Sequence, residues 1–276
     1  MSQWQTEYVP GPPRIAVDHM GHGPLVIFIH GIGGNRTNWH DQLPAFADHF
    51  HAVAWDARGY GASDDYAGAL DFADISRDLI RVIDYFQTAR AHLVGLSMGG
   101  VIAIDFQTRY PEHVATLTLC DTPRPGAMAA MAPEHRRAQM SEFIRLRQEP
   151  LLAGKEPRDI APGIAQTLLG KSAAPAIFQR LVDSMGALHK ESYLKAIEAL
   201  VTYIGEVQPP FEDFRVPTHV VVGNEDTLTP PDTSREIARR IPGARLTVIE
   251  SAGHLSNIEQ PAAFNNAVLS FLLEHC

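Results

Sequence analysis

The sequence predicts an α/β protein whose mainly parallel sheet carries helices on both faces. Short apolar runs alternate with longer amphipathic segments along most of the chain, which is typical of repeated strand–helix units. The apolar runs are continuous, as in Leu25–Ile29, and this is typical of strands that are buried on both faces. With 276 residues and 45% hydrophobic content, the chain is long enough to form one large core.

The same patterns assign strands and helices in order along the chain. Residues 1–13, which are polar and rich in proline, are predicted to form an arm that is either loose or ordered by contact. The predicted strands are residues 14–19, 25–29, 52–55, 91–94, 114–120, 218–222 and 245–249. The predicted helices are residues 39–50, 71–86, 101–109, 134–148, 163–169, 174–185, 191–204, 232–241 and 260–273.

Local residues mark where several of these elements begin and end. The apolar side chains of residues 71–86 recur at helical spacing, starting from Phe72 and Ile75. Pro111 follows soon after residues 101–109 and is expected to end that helix. Asp232 is expected to cap the helix that it begins.

The character of the sequence changes in residues 123–215, where buried-strand runs disappear. Charged or amphipathic segments of helical length fill this stretch, and prolines and glycines separate them. We interpret it as a helical insertion into a single core domain. The two parts of that core domain are then residues 1–122 and 216–276.

Composition excludes several classes of protein. The net charge is −9 with scattered basic residues, so neither a basic stripe nor a nucleic-acid partner is expected. The longest apolar runs have the length of strands, so no membrane span is expected. No signal-peptide pattern is visible, and Cys120 and Cys276 predict no structural disulfide, which fits a reducing cytoplasm.

The functional prediction rests on residues 95–99, G-L-S-M-G, and on Gly100 directly after them. This motif lies between a strand-sized apolar run and a helical segment, the context that a nucleophile elbow requires. The sharp turn forces Ser97 into strained backbone angles, which Gly95 and Gly99 permit because they lack a Cβ atom. Ser97 is therefore the candidate nucleophile. The alternative interpretation is a glycine-rich turn with a capping serine.

Candidate partners of Ser97 lie just beyond the carboxyl ends of other predicted strands. His254 occupies a loop of small residues after the last strand and is the candidate base, since histidine accepts and returns protons near neutral pH. Asp226 follows the preceding strand and is the candidate carboxylate that orients this histidine. Asp121 also ends a strand at the same edge, and it stays open as an alternative to Asp226.

A candidate oxyanion hole is formed by two backbone N–H groups. The N–H of Met98 follows the nucleophile, and the N–H of Ile32 lies in the glycine-rich loop of residues 30–34, H-G-I-G-G. Each such donor typically contributes about 3 kcal/mol to transition-state stabilisation. The alternative for this loop is a plain strand-to-helix turn.

Four further residues are predicted to bind substrate: Gly31, Arg36, Trp39 and Arg124. Arg36 and Arg124 flank the predicted mouth of the pocket, where either guanidinium could hold a substrate carboxylate. The remaining arginine cluster is interpreted as a solvated helix face. Its members are Arg136, Arg137, Arg145 and Arg147.

No metal or cofactor is expected from the sequence. The close histidine pairs, residues 49 and 51 and residues 19 and 22, stand outside any ligand pattern typical of a metallohydrolase. The loop of residues 30–34 starts like a dinucleotide-binding fingerprint, but Arg36 stands where the third glycine belongs.

The motifs together resemble the α/β-hydrolase superfamily over nearly the whole chain, including the order Ser97, Asp226, His254. The matching stretches are residues 28–31, 56–64, 95–100, 223–230 and 253–254. The resemblance implies the α/β-hydrolase fold, with an eight-stranded sheet, a helical cap after the sixth strand, and an active site between sheet and cap. It also implies that residues 56–64 form a conformational loop.

Within the superfamily, residues 95–100, 117–122, 185–193 and 252–261 are similar to the 3-oxoadipate enol-lactone hydrolases. The chain departs from these lactonases at the His-Gly pair of residues 30–31, which they usually lack. Carboxylesterases and the carbon–carbon hydrolases of aromatic meta-cleavage pathways carry His-Gly at this place. The choice among these substrate classes stays open.

These observations predict a cofactor-independent serine hydrolase that cleaves a small carboxylic ester or lactone through an acyl-enzyme. Side chains of the cap, from about residue 128 to residue 204, are expected to select this small-molecule substrate. One alternative is a carbon–carbon hydrolase that acts on a meta-cleavage-type dienoate. An alternative of another class is a ligand-binding receptor with little turnover.

Overall fold

The computed structural model describes residues 4–276, with the exception of the side chain of Arg137. Its centre is one eight-stranded sheet in the order β1-β2-β4-β3-β5-β6-β7-β8. The eight strands predicted by resemblance are therefore confirmed. They are β1 Gln5–Val9, β2 Ile15–Met20, β3 Leu25–Ile29, β4 His51–Trp55, β5 Ala91–Leu96, β6 Val114–Cys120, β7 Thr218–Gly223 and β8 Arg245–Ile249.

Parallel pairing runs from β4 through β3 to β8, whereas β1 and β2 pair antiparallel at one end of the sheet. Strand β1 falls within residues 1–13, which the sequence predicted only as an arm; residues 1–3 of that arm lie outside the described residues. Four of its five residues, Gln5 to Tyr8, are exposed or half-buried. An edge strand with so little apolar surface lacks the continuous hydrophobic run that revealed the central strands.

Both faces of the central sheet are covered, as the continuous apolar runs predicted. Every residue of β3 and β5 is buried, although alternate side chains of a strand point to opposite faces. On one face, the Phe28 ring packs against Trp39 and Phe46. The central strands therefore form the core and leave only their carboxyl ends open to a ligand.

The α-helices follow the predicted alternation, with different boundaries at several points. They are α1 Leu43–Phe46, α2 Phe72–Tyr85, α3 Met98–Arg109, α4 Pro133–Gln139, α5 Ser141–Arg147, α6 Glu149–Leu152, α7 Pro157–Leu168, α8 Pro175–Gly186, α9 Lys190–Glu206, α10 Pro231–Arg240, α11 Ser256–Glu259 and α12 Pro261–Leu273. Three short 3₁₀ helices complete the described segments: Arg36–Trp39, Pro111–His113 and Phe211–Asp213.

The helix predicted for residues 39–50 is wrong in its form. The chain instead makes the 3₁₀ turn Arg36–Trp39 and then the single turn α1. Asn35 starts the 3₁₀ turn, because its side chain accepts a hydrogen bond from the Thr37 N–H at 2.9 Å. This tight turn directs Trp39 into the core.

The helices of residues 134–148, α7 and α10 also differ from the predictions. Residues 134–148 break at Met140, where ψ is close to zero, so that α4 and α5 are separate. Helix α7 begins six residues earlier than predicted and accommodates Pro162 within it. Asp232 does not cap α10, since Pro230 occupies the cap position and Asp232 lies in the first turn.

Helices α4 to α9 all lie between β6 and β7, in the stretch that the sequence interpreted as an insertion. Helices α7 and α8 pack against each other, and α9 returns the chain toward β7. The division into residues 1–122, 123–215 and 216–276 stays a prediction about domains. Over residues 4–276, none of the helices combines the length and the apolar character needed to cross a membrane.

Candidate active site

The turn between β5 and α3 holds Ser97 in a strained conformation. Its φ of 54° and ψ of −116° lie outside the regions that side chains favour. A Cβ atom on Gly95 would lie 2.3 Å from the Gly99 carbonyl oxygen, and one on Gly99 would lie 2.1 Å from that of Ile29. Both positions therefore require glycine, and Ser97 stands at the tip of a sharp strand-to-helix turn.

His254 and Asp226 form a buried pair at the carboxyl ends of the last two strands. His254 Nδ1 lies 2.8 Å from Asp226 Oδ2. The Asp226 carboxylate also accepts hydrogen bonds from the N–H of Leu228 and from the N–H and hydroxyl of Thr229. With its carboxylate acceptor on Nδ1, the ring keeps Nε2 free as a proton acceptor.

The pKa values of this pair move apart in the direction that favours an ion pair. Burial alone would lower the pKa of His254, but the Asp226 charge and hydrogen bond outweigh it and raise that pKa above its usual value. Burial alone would raise the pKa of Asp226, yet the His254 charge and its hydrogen-bond donors lower it. Between these two pKa values, Asp226 is ionised while His254 is protonated.

Asp121, the alternative carboxylate, lies beside this pair but binds other groups. Its Oδ1 accepts the Gly223 N–H at 2.8 Å, and its Oδ2 is 2.5 Å from the Ser256 hydroxyl. Burial, followed by repulsion from the Asp226 charge, raises the pKa of Asp121 to about 8. Both carboxyl oxygens of Asp121 accept hydrogen bonds from these other groups, and the imidazole of His254 is held by Asp226 instead.

Ser97 and His254 border the same cavity. Within residues 4–276, no hydrogen bond of 3.5 Å or less joins the Ser97 hydroxyl to the imidazole; the closest polar partners of that ring are Asp226 and Thr229. Such contacts are often long in ligand-free sites and shorten when substrate is bound. The arrangement therefore brings the candidate nucleophile and the candidate base to one cavity, with the imidazole held by Asp226.

The glycine-rich loop after β3 packs directly on the elbow. A Cβ atom on Gly31 would lie 3.1 Å from the Ser97 Cβ. The buried His30 ring organises the loop, because Nε2 accepts the Ala57 N–H at 3.1 Å and Nδ1 lies 2.9 Å from the Gly31 carbonyl oxygen. Those two contacts select the tautomer with hydrogen on Nδ1. Burial also lowers the pKa of His30, which keeps it neutral.

This loop geometry determines where the Ile32 N–H points. The Gly31 carbonyl accepts from His30 and from the Gly34 N–H at 3.0 Å. Because the C=O and N–H of a trans peptide point in opposite directions, the Ile32 N–H faces away from His30. Met98 is the first residue of α3, so its N–H has no acceptor within the helix. Among the described hydrogen bonds, neither N–H has a backbone acceptor.

The cavity has two lobes that meet at Ser97. The inner lobe has about 30 Å³ of free space, and the outer lobe has about 330 Å³. Their walls are mostly apolar, with leucines of the insertion such as Leu168 and Leu181 facing the inner lobe. Four residues line both lobes: Ile32, Ser97, Arg147 and Leu228.

Of the four residues predicted to bind substrate, Gly31 lines the cavity and the other three are occupied elsewhere. Arg36 pairs with the carboxylates of Asp18 and Asp56. Trp39 is wholly buried in the core, and Arg124 pairs with Glu236 at 3.2 Å. Arg36 and Arg124, which were predicted to flank the pocket mouth, and Trp39, which was predicted to bind substrate, are not among the described residues that line the cavity.

Arg147 lines the cavity, although its sequence pattern predicted a solvated helix face. Arg145 of that cluster does face solvent and pairs with Glu142, and the side chain of Arg137 lies outside the described residues. Arg147 is only 2% exposed and borders both lobes of the cavity. The signal was present in its spacing, since Arg147 follows the buried Ile144 by three residues on the inward face of α5.

Glu259, which no sequence pattern marked as functional, holds the loop that carries His254. Its carboxylate accepts hydrogen bonds from the N–H groups of Gly253, Leu255 and Gly170. The His254 N–H itself donates to the Leu168 carbonyl at 2.8 Å. The insertion therefore contacts the loop of the candidate base directly, and position in the sequence alone could not reveal this contact.

Known proteins resemble this chain over most of its length. A family model described as the alpha/beta hydrolase fold matches residues 24–261. The 3-oxoadipate enol-lactonase 2 of Acinetobacter baylyi is 28% identical over 249 residues, covering 89% of this chain and 87% of the relative. A 2-hydroxy-6-oxononadienedioate/2-hydroxy-6-oxononatrienedioate hydrolase of Escherichia coli K12 is 26% identical over 268 residues, with 94% and 91% covered.

Solved structures agree with this match. A thermophilic esterase from Thermogutta terrifontis, with malate bound, is 28% identical with a TM-score of 0.82, over 99% of this chain and 100% of that one. The superfamily resemblance drawn from the motifs is thus confirmed. The sheet topology, the family model and these likenesses show that the chain belongs to the α/β-hydrolase family and resembles 3-oxoadipate enol-lactonase.

Proposed function

We propose that the protein is a serine hydrolase that cleaves a small carboxylic ester or lactone through an acyl-enzyme. One observation carries the proposal: His254 is held by Asp226 at 2.8 Å and borders the same cavity as the strained Ser97. A buried carboxylate–imidazole pair beside a serine that borders the same cavity is the arrangement that activates a hydroxyl nucleophile.

In the first step the Ser97 hydroxyl attacks the substrate carbonyl while His254 Nε2 takes its proton. The resulting imidazolium is stabilised by Asp226, whose pKa is lowered and which stays charged. The strained turn keeps the hydroxyl at the tip of the elbow, so little reorganisation is needed before attack.

The N–H groups of Ile32 and Met98 hold the oxyanion that develops on the carbonyl oxygen. Both lack a backbone acceptor among the described residues, so they are available to a ligand. His254 then returns its proton to the leaving oxygen, and the alcohol departs or, in a lactone, stays attached to the acyl group. Water, activated by the same imidazole, hydrolyses the acyl-enzyme.

The size of the cavity and the names of the relatives support a small substrate. About 330 Å³ in the outer lobe and about 30 Å³ in the inner lobe leave room for a compact acyl group. One relative is named as an enol-lactonase and one solved structure as an esterase. Helices α5, α7 and α8 contribute much of the lining, so they select the substrate.

A second candidate reaction is hydrolysis of a carbon–carbon bond in a dienoate. It is favoured by the His-Gly pair at residues 30–31 and by the relative that is named as a hydrolase of oxononadienedioates.

A third candidate, a receptor with little turnover, uses the same cavity but needs no acylation. For each of these, the partner is a small molecule. The free thiols of Cys120 and Cys276 support a reducing, cytoplasmic setting.

Steady-state turnover of a substrate panel tests the proposal. The panel contains a short-chain nitrophenyl ester, a five-membered lactone and a meta-cleavage dienoate, each assayed with the native protein and with Ser97→Ala. We expect many turnovers on the ester or lactone and a loss of on the order of 10⁴-fold in kcat in the variant. Ser270→Ala, at an exposed position of α12, is the matched control and should keep full activity.

The outcomes separate the three candidates. Rapid turnover of the dienoate with weak ester activity would favour the carbon–carbon hydrolase. Binding without turnover on every substrate would favour the receptor. Ester hydrolysis that survives in Ser97→Ala would overturn the acyl-enzyme mechanism.

A further inference from the structure

The guanidinium of Arg147 is a buried cation without an anionic partner. The residue is 2% exposed, and its Nε atom makes no hydrogen bond. Within the described part of the chain, no carboxylate pairs with it; the Tyr193 hydroxyl is nearby but outside hydrogen-bond geometry. Arginine keeps its proton even when buried, so this charge stays on the wall of the cavity.

Other arginines show how this protein normally compensates such a charge. Arg58 makes two hydrogen bonds to the buried Asp78 carboxylate, at 2.6 and 3.0 Å. Arg36 contacts both Asp18 and Asp56. A buried charge without a partner of opposite charge strongly destabilises the folded state. The lack of an anionic partner at Arg147 therefore suggests that a bound anion supplies one.

The fold holds Arg147 in place without neutralising it. Its guanidinium lies over the Phe143 ring, 4.3 Å from the ring centre, which fixes its plane by a cation–π contact. Glu142, the acidic residue that lines the outer lobe, is turned to solvent and pairs with Arg145 at 2.6 Å. Among the described residues that line the two lobes, Arg147 is the one lysine or arginine.

The position of Arg147 connects this charge with the proposed chemistry. It lines both lobes, as does Ser97, and its positive charge disfavours protonation of His254, although the pKa of His254 is raised overall. An anion beside Arg147 would therefore belong to the same small molecule as the carbonyl at Ser97. The planar fork of a guanidinium matches a carboxylate through two parallel hydrogen bonds.

We propose that the substrate is an ester or lactone that carries a free carboxylate, and that Arg147 binds this carboxylate where the two lobes meet. The inference rests on the proposed function, because it names the substrate class of the same site. The otherwise apolar walls recognise the short carbon chain between the carboxylate and the scissile carbonyl. Arg147 is thus a residue that determines specificity.

Paired esters that differ only in charge test this proposal. Monomethyl succinate and monomethyl glutarate carry the carboxylate on the acyl side and are compared with their dimethyl esters. Acetoxyacetate carries it on the alcohol side and is compared with its methyl ester. The measured quantity is the ratio of kcat/KM for the anion to kcat/KM for its neutral partner. We expect a ratio well above one for at least one pair.

Three variants assign that ratio to Arg147. Arg147→Met keeps the length of the side chain and removes the charge, and we expect the ratio to fall by about 30-fold or more. Arg147→Lys keeps the charge without the planar fork and should retain part of the preference. Arg145→Met, two residues earlier and paired at the surface with Glu142, is the matched control and should keep the native ratio.

Binding measured without catalysis separates this inference from the proposed function. We expect glutarate to bind the native protein in a calorimetric titration and to bind Arg147→Met about 30-fold or more weakly. If Ser97-dependent ester hydrolysis is found but the ratio is the same in Arg147→Met, the carboxylate inference is overturned and the hydrolase stands. If no ester reacts but glutarate binding depends on Arg147, the hydrolase falls and the carboxylate site stands. Equal or absent glutarate binding in both proteins, with no charge preference, overturns the inference.

Discussion

Asp226 and Asp121 lie side by side at the carboxyl end of the sheet, and of the two it is Asp226 that hydrogen-bonds His254. The Thr229 hydroxyl links them, at 2.6 Å from Asp226 Oδ2 and 3.0 Å from the Asp121 carbonyl oxygen. Burial, followed by repulsion from the Asp226 charge, raises the pKa of Asp121 to about 8. Burial alone would also raise the pKa of Asp226, but the His254 charge and the hydrogen bonds to this carboxylate outweigh it and lower that pKa. The geometry thus gives the two aspartates different chemical states.

The first prediction compares the two aspartates. Asp226→Asn should lower kcat on a neutral ester by about 10⁴-fold, because an amide no longer holds the imidazole in the tautomer that accepts a proton. Asp121→Asn should lower kcat by less than about 10-fold, since this side chain contacts Gly223 and Ser256 instead. Steady-state kinetics on one nitrophenyl ester measure both. A larger loss in Asp121→Asn would reverse the assignment.

The second prediction concerns stability and pH. The pKa of Asp121 is raised on folding, so the folded state binds this proton more tightly than the unfolded chain does. Its contribution to stability is complete below pH 3.8 and is lost as the pH rises toward about 8. The loss is at most about 1.4 kcal/mol per pH unit.

Urea denaturation at pH 5 and pH 7 measures this effect. The native protein should lose more free energy of unfolding between the two pH values than Asp121→Asn, which cannot titrate. Asp41→Asn, at an aspartate near the surface that pairs with Arg180, is the control for a general effect of removing a carboxylate. Identical slopes in the native protein and in Asp121→Asn would contradict a raised pKa.

The third prediction concerns the pH dependence of catalysis. His254 acts as a base only when neutral, so kcat/KM for a neutral ester should fall as the pH drops through its pKa, which lies above 6.5. Burial lowers this pKa, the Asp226 charge raises it, and the Arg147 charge lowers it. In Arg147→Met the acid limb should therefore move to higher pH. A shift to lower pH, or none, would contradict this coupling.

The fourth prediction concerns the glycines of the elbow. Gly99→Ala should lower the free energy of unfolding by about 2 kcal/mol or more, because the new Cβ would lie 2.1 Å from the Ile29 carbonyl oxygen. Gly163→Ala is the matched control, since nothing lies within 4 Å of its Cβ position on α7. That control should gain up to about 1 kcal/mol from helix propensity.

Chemical denaturation of the two variants beside the native protein gives both values. A Gly99→Ala protein as stable as the native chain would mean that the strand-to-helix turn is looser than its backbone angles indicate. Loss of stability in Gly163→Ala would show that alanine is unfavourable for reasons other than crowding.

The central strands and the elbow could be predicted from the sequence because each depends on a short-range rule. A continuous apolar run such as Leu25–Ile29 indicates burial on both faces, and β3 is wholly buried. The glycines two residues before and two residues after Ser97 indicate a tight turn, in which positions 95 and 99 have no room for a Cβ atom. The positions of Asp226 and His254 followed from the strand ends, since parallel strands bring those ends to one edge.

Helix ends and the edge strand were harder to predict, because weak local preferences compete there. Four of the five residues of strand β1 are exposed or half-buried, as they would also be in a free arm. Only the pairing of β1 with β2 distinguishes an edge strand from such an arm. Proline usually breaks a helix, because it lacks an N–H donor and its ring clashes with the preceding turn. Pro162 nevertheless lies within α7, where packing against α8 outweighs this loss of helix stability.

The sequence by itself determined the fold class, the sharp turn at Ser97, and the order in which Asp226 and His254 follow it. Short stretches of sequence encode all three. Only the tertiary structure decided which aspartate meets His254 and which arginine meets the cavity. The three arginines considered as ligands for a substrate carboxylate have the same side chain but different surroundings. Carboxylates of the protein pair with Arg36 and Arg124, whereas none of the described residues pairs in this way with Arg147. Those carboxylates come from distant parts of the chain, so their positions depend on how helices and strands pack together.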